Sequence, residues 1–120
     1  MNRPLSATEE QLVRWLLQHG NPEATSFLPQ LARAYVTSWH CPCGCASLNF
    51  AIQGHAAPQG GLNVLSDFVF GSAADLSGIF VYEQSGVLGG LEVYGLAGEA
   101  PKVLPSIEAL RPWQDASASV

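Results

Sequence analysis

Three cysteines occupy alternate positions in His40-Cys41-Pro42-Cys43-Gly44-Cys45, and the chain has no others. A thiolate is the strongest nucleophile and the softest metal ligand among protein side chains, so chemistry in this chain would concentrate here. An extended backbone would throw the three side chains to one side, with Cα atoms about 6.5–7 Å apart along the strand. Sulfurs that share one ion sit closer than that, so the segment must curl. Gly44 permits the curl and Pro42 stiffens its other flank. A structural zinc site takes four ligands, often from two cysteine knuckles. This chain has a single knuckle of Cys-x-Cys spacing. Cys41, Cys43 and Cys45 are therefore candidate metal ligands, with His55 in the following loop a better fourth than His19 or His40. Zinc is the ion such a set would hold.

Two other readings compete for the same cysteines. Cys41-Pro42-Cys43 and Cys43-Gly44-Cys45 both have the vicinal spacing of some thiol oxidoreductases, and a one-residue spacer makes a readily reducible bridge. A redox thiol is usually activated by a helix N-terminus or a neighbouring cation, and the cluster contains only His40. Alternatively the cysteines are small hydrophobes that pack a junction, since free cysteine is among the most buried residue types.

Elsewhere the chemistry thins out. Glu92 shares a sheet face with Gly90 and Tyr94, opposite Phe80 or Tyr82, as either a half-buried acid or an exposed one. Asp67, inside an otherwise apolar strand, has the same standing. A Cys/His dyad with His19 or His55 lacks any supporting signature. Gly60-Gly61 and Gly89-Gly90 lack the lysine-bearing helix of a phosphate loop. No residue is nominated as catalytic.

These groups must be positioned by a fold that the sequence pattern outlines. Ser6 or Thr8 can cap a first helix, with Glu9 or Gln11 at capping-box spacing. Leu12, Trp15, Leu16 and His19 follow at helical spacing, and Gly20 ends the helix. A second helix is expected from a Ser26 cap, through Pro29 in its first turn, to about Ala34–Val36. The period then changes. Val36–Trp39, Ser47–Ile52, Leu62–Gly71 (with a bulge or two-sided burial), Gly78–Glu83 and Val87–Tyr94 read as extended segments. Gly54–Gly61 reads as a loop. Gln84-Ser85-Gly86 should close a three-residue hairpin with Gly86 left-handed. Pro101 and Pro105 exclude a central strand from the remainder, and Leu110–Trp113 should dock as an apolar anchor. The expected architecture is α+β, two N-terminal helices on one face of an antiparallel sheet of about four strands. Residues 1–113 form one domain and residues 114–120 a frayed tail.

At 120 residues, with 48 % apolar residues, the chain supports a real core. Charged residues are only 12 %, which leaves a weakly polar surface suited to self-association or a protein partner. The net charge is −5 and the five basic residues are dispersed, so nucleic acid and anionic membrane are not expected partners. No apolar run approaches the ~20 residues of a membrane span. The odd cysteine count fits a reducing cytoplasmic setting.

Cys41–Phe50, Gly78–Tyr82 and Gly86–Tyr94, with the CPCGC and LEVY segments, together resemble a family of small uncharacterised bacterial proteins. The resemblance spans about residues 38–113. It implies an independent bacterial cytosolic domain of unassigned function, with Cys41, Cys43, Cys45 and Glu92 as positions of interest. The leading expectation is a non-enzymatic interaction module that binds a second copy or a protein partner. The alternatives are a metal-binding or thiol-redox protein, and an immunity-type or regulatory inhibitor whose acidic surface meets a basic partner.

Overall fold

Strand β3, Leu48–Ile52, lies at the centre of the arrangement, paired with β2 (Ala34–Val36) on one edge and β6 (Val87–Gly95) on the other. The computed structural model describes residues 2–56 and 60–113. Across them runs a six-stranded antiparallel sheet. Its strands are β1 (Arg3–Pro4), β2 (Ala34–Val36), β3, β4 (Asn63–Phe70), β5 (Ser77–Gln84) and β6 (Val87–Gly95), in the spatial order β1-β2-β3-β6-β5-β4. The expected tail, 114–120, lies outside the described residues.

Helix α1, Ala7–Gln18, starts as its sequence dictates. Ser6 Oγ accepts from the Glu9 amide (3.1 Å) and Glu9 returns a bond to the Ser6 amide (2.8 Å), closing the capping box. Its buried stripe is Leu12, Val13, Leu16 and Leu17. His19 caps the other end, its amide reaching the Trp15 and Leu16 carbonyls. The His19 ring stacks on Trp15 at 4.1 Å, and Trp15 meets Phe68 of β4 edge-on at 4.9 Å.

The second helix is shorter than expected. Ala24–Phe27 is a 3₁₀ turn, and α2 is the single α-turn Leu28–Leu31 that follows. Ser26 does not cap it; its hydroxyl turns back to the Glu23 carbonyl at 2.6 Å. Ala34–Val36 is strand β2, with Ala34 and Val36 buried and Tyr35 exposed. The physical reason is pairing: Ala34, Tyr35 and Val36 lie opposite Ile52, Ala51 and Phe50, and that ladder outweighs the helical spacing of Leu31 and Tyr35. The strand expected at Val36–Trp39 accordingly begins earlier and ends at Val36. β1, unforeseen, pairs Arg3 and Pro4 with Val36 and Tyr35 at the sheet edge, where a proline's missing donor costs little. With β1 the sheet has six strands rather than about four.

The expected irregularity in β4 is present as a register shift between Val64 and Ser66. The β5–β6 hairpin differs in detail. Gln84 pairs with Val87, so the loop is the dipeptide Ser85-Gly86, with φ of 53° and 83°. Two consecutive positive φ values are the signature of a tight primed turn, which matches strand twist. The bulge lies instead between Tyr82 and Glu83.

Ile79, Val81, Leu91 and Val93 join Leu12, Leu16 and other helix residues in one core. Leu104, Ile107 and Leu110 pack against the same core, and Arg111 exchanges backbone bonds with Val69 (2.8 and 2.9 Å) on the edge of β4. The expected anchor thus docks, although Trp113 itself stays exposed. Strand alternation places Asp67, Phe80, Tyr82, Glu92 and Tyr94 on the opposite face. No helix among the described residues is long and apolar enough to cross a membrane.

Candidate metal centre

The cysteine segment connects β2 to β3, and its two ends are held differently. After the cluster, the Ala46 amide bonds to the Pro101 carbonyl (2.9 Å), and the buried Ser47 hydroxyl accepts from the Val93 amide (3.0 Å). Cys45 and Ala46 are half-buried against the core. Before it, Trp39 and His40 are exposed. The site is a loop tip rooted on one side.

The curl anticipated from Gly44 is a β-turn. The Gly44 amide donates to the Cys41 carbonyl at 2.9 Å, and Gly44 itself adopts φ +82°. Pro42 and Gly44 occupy the second and fourth turn positions, where proline's fixed φ and glycine's freedom are favoured. The turn folds the alternating side chains back on one another. As a result the sulfurs of Cys41, Cys43 and Cys45 all lie within 4.8 Å of each other.

Cys41 and Cys43 Sγ are 2.8 Å apart, and Cys43 Sγ also accepts from the Cys45 amide at 3.3 Å. Sulfurs around a tetrahedral ion with metal–sulfur bonds near 2.3 Å are about 3.8 Å apart. With one pair at 2.8 Å and all three within 4.8 Å, the sulfurs are gathered closely enough to face one ion. The three cysteines can hold a metal ion.

The protonation chemistry is uneven across the cluster. The hydrogen bond with Cys41 raises the exposed Cys43 thiol to about 11. Burial pushes the Cys45 thiol up, but hydrogen bonds with Ser47, Cys43 and Cys41 together outweigh it and bring it down to about 7. The Ser47 hydroxyl stands 3.3 Å from Cys45 Sγ; it accepts from the neutral thiol and can turn to donate to the thiolate. Cys45, at the rooted end of the loop, thus ionises before Cys43.

No histidine, aspartate or glutamate among the described residues brings a ligand atom into this group. His55 lies past the far end of β3, which spans five residues and so about 16 Å. It is exposed there, its amide bonded to the Ile52 carbonyl at 3.0 Å. His19 is engaged at the end of α1, with Nδ1 2.8 Å from the Trp15 carbonyl. Glu92 is exposed on β6 opposite Phe80. Ser47 was not nominated from sequence, although its place two residues after Cys45, on the same face of an extended segment, is the signal for it.

Compared with known family models, curated proteins and solved structures, the chain matches none. What it does has to be read from its own residues.

Proposed function

We propose that this domain binds a thiophilic metal ion, zinc foremost, through Cys41, Cys43 and Cys45. The observation that carries the reading is the convergence of three sulfurs within 4.8 Å on a turn built for the purpose by Pro42 and Gly44. Soft thiolates favour zinc and copper(I) over hard oxygen-seeking cations. The protein would supply three ligands and leave one position open, filled by water or by a group from outside the chain. Ser47 would orient and polarise Cys45 from behind, the role second-layer hydrogen bonds play at metal sites. The low-charge surface that points to an interaction module is compatible with a metal that completes its coordination on a partner.

The test is elemental analysis of protein purified without a histidine tag, followed by zinc and copper(I) titration of reduced, metal-free protein. One ion per chain is expected, with thiolate-to-metal absorbance that each of Cys41→Ser, Cys43→Ser and Cys45→Ser diminishes. Fewer than about 0.2 ions per chain after reconstitution would sink the proposal, because a structural thiolate site binds tightly enough to stay loaded.

A further inference from the structure

On the sheet face turned away from the helices, one cross-strand row reads Asp67–Phe80–Glu92, because Asp67 and Phe80 are paired and so are Phe80 and Glu92. Both carboxylates are exposed. Neither forms a salt bridge: the ion pairs of the described residues are Arg3–Glu9 and Arg14–Glu10, both at α1. Asp67 is held in place by the Tyr94 hydroxyl, which donates to Oδ1 at 3.0 Å.

Between the acids lies an aromatic cluster. Tyr82 and Tyr94 flank Phe80 with ring centroids 5.9 and 5.8 Å away and planes inclined at 61° and 51° to it, so they wall the Phe80 ring in rather than continue its plane. The tyrosines pack over glycines: a Cβ on Gly78 would be 2.2 Å from Tyr94 Cζ, and one on Gly89 2.5 Å from Tyr82 Cε2. Adjacent strands are about 4.8 Å apart, so the two carboxylates rise from Cα atoms about 10 Å apart with the Phe80 ring between them. That frame suits a flat cation. A guanidinium stacks on an aromatic ring and presents N–H donors along its edges to carboxylates on either side.

We propose that this face docks a basic segment of a partner protein by seating an arginine on Phe80 between Asp67 and Glu92. The charge complement is supplied by the chain as a whole, which carries a net −5, and by the lack of any cation paired to these two acids among the described residues. A lysine would satisfy the charge but not the stacked plane, so arginine is preferred. This site is separate from the cysteine turn and does not depend on metal.

The probe is an end-blocked Gly-Arg-Gly-Arg-Gly peptide titrated into the reduced full chain and followed by backbone amide NMR shifts. Saturable shifts centred on Asp67, Phe80 and Glu92 are expected, weakened by salt. The peptide with citrulline, uncharged but flat, should not bind. Asp67→Asn combined with Glu92→Gln should weaken binding at least about tenfold, while Phe80→Leu should abolish the preference for arginine over the lysine peptide. Shifts scattered over the other acidic residues would overturn the proposal. So would a double variant that binds within about twofold of the native chain. Light scattering supplies the remaining arm: a stable dimer that protects these amides and excludes the peptide would assign the face to a second copy instead.

Discussion

The amide of Gly44 reaches back 2.9 Å to the carbonyl of Cys41, and that one bond turns a linear Cys-x-Cys-x-Cys string into a cluster. Gly44 sits at φ +82° with open space where a Cβ would be. A side chain there meets no neighbour but must adopt the left-handed conformation, which costs an L-residue roughly 1–2 kcal/mol. Gly44→Val should therefore weaken metal binding about tenfold, since 1.4 kcal/mol is a factor of ten. Lying outside the core, the turn can open in the metal-free variant and shed that strain, so the thermal midpoint should move little and the cost falls on metal binding, which must re-form the turn. Equal zinc affinity in both proteins, by competition with a chromogenic chelator, would contradict this role.

Cys45 should react ahead of Cys43 in metal-free protein. Its pKa is lowered to about 7 while that of Cys43 is raised to about 11, so iodoacetamide at pH 7 should label Cys45 well ahead of Cys43. Peptide mass spectrometry across pH 6–10 measures the order. Ser47→Ala removes the hydroxyl beside the sulfur and should shift the Cys45 labelling profile to higher pH. Labelling led by Cys43 would show that the hydrogen bonding is otherwise arranged.

Tyr94 over Gly78 is a contact that tolerates no added atom. Gly78→Ala would place its Cβ 2.2 Å from the ring, and overpacking of this kind costs about 1–3 kcal/mol. Tyr94→Ala vacates the space, so the double variant should be more stable than the sum of the two losses predicts. Urea unfolding of the four proteins gives the coupling. Simple additivity would mean the ring moves aside freely.

The Arg3–Glu9 pair joins β1 to the cap of α1, with a 2.8 Å bond from each guanidinium nitrogen involved. The bond from Arg3 is the main reason that the Glu9 pKa is lowered. A depressed carboxylate pKa contributes stability above its unfolded value and loses it as pH falls through the folded one. Arg3→Gln should thus cost less than about 1 kcal/mol at pH 7, as exposed pairs do. The gap should close on acidification through the carboxylate range, as followed by denaturation at several pH values. A gap that persists at low pH would point to packing of the arginine stem rather than charge.

Local chemistry was legible before any coordinates. The capping box at Ser6 and Glu9, the stop near Gly20, strand β3 and the extent of the β5–β6 hairpin all follow from neighbours within a few positions, where backbone geometry leaves little choice. The need for Gly44 to curl the cysteine turn was legible for the same reason. What reads less well depends on partners distant in sequence. Tyr35 has the spacing of a helix face until Ala51 is known to lie beside it, and Arg3-Pro4 is a strand only because Val36 offers an edge.

The same division governs the two candidate sites. Residue types and spacing determined that three soft ligands stand within five residues and that Gly44 permits them to close on one another; the structure shows that they do. They did not determine the fourth ligand: tertiary structure put His55 beyond the opposite end of β3 and left the Ser47 hydroxyl beside Cys45. The Asp67–Phe80–Glu92 row was decided entirely by strand register, since a shift of one residue in either pairing would have turned those side chains to the other face. Sequence set which groups stand within reach of a single turn, and the sheet decided which distant groups meet.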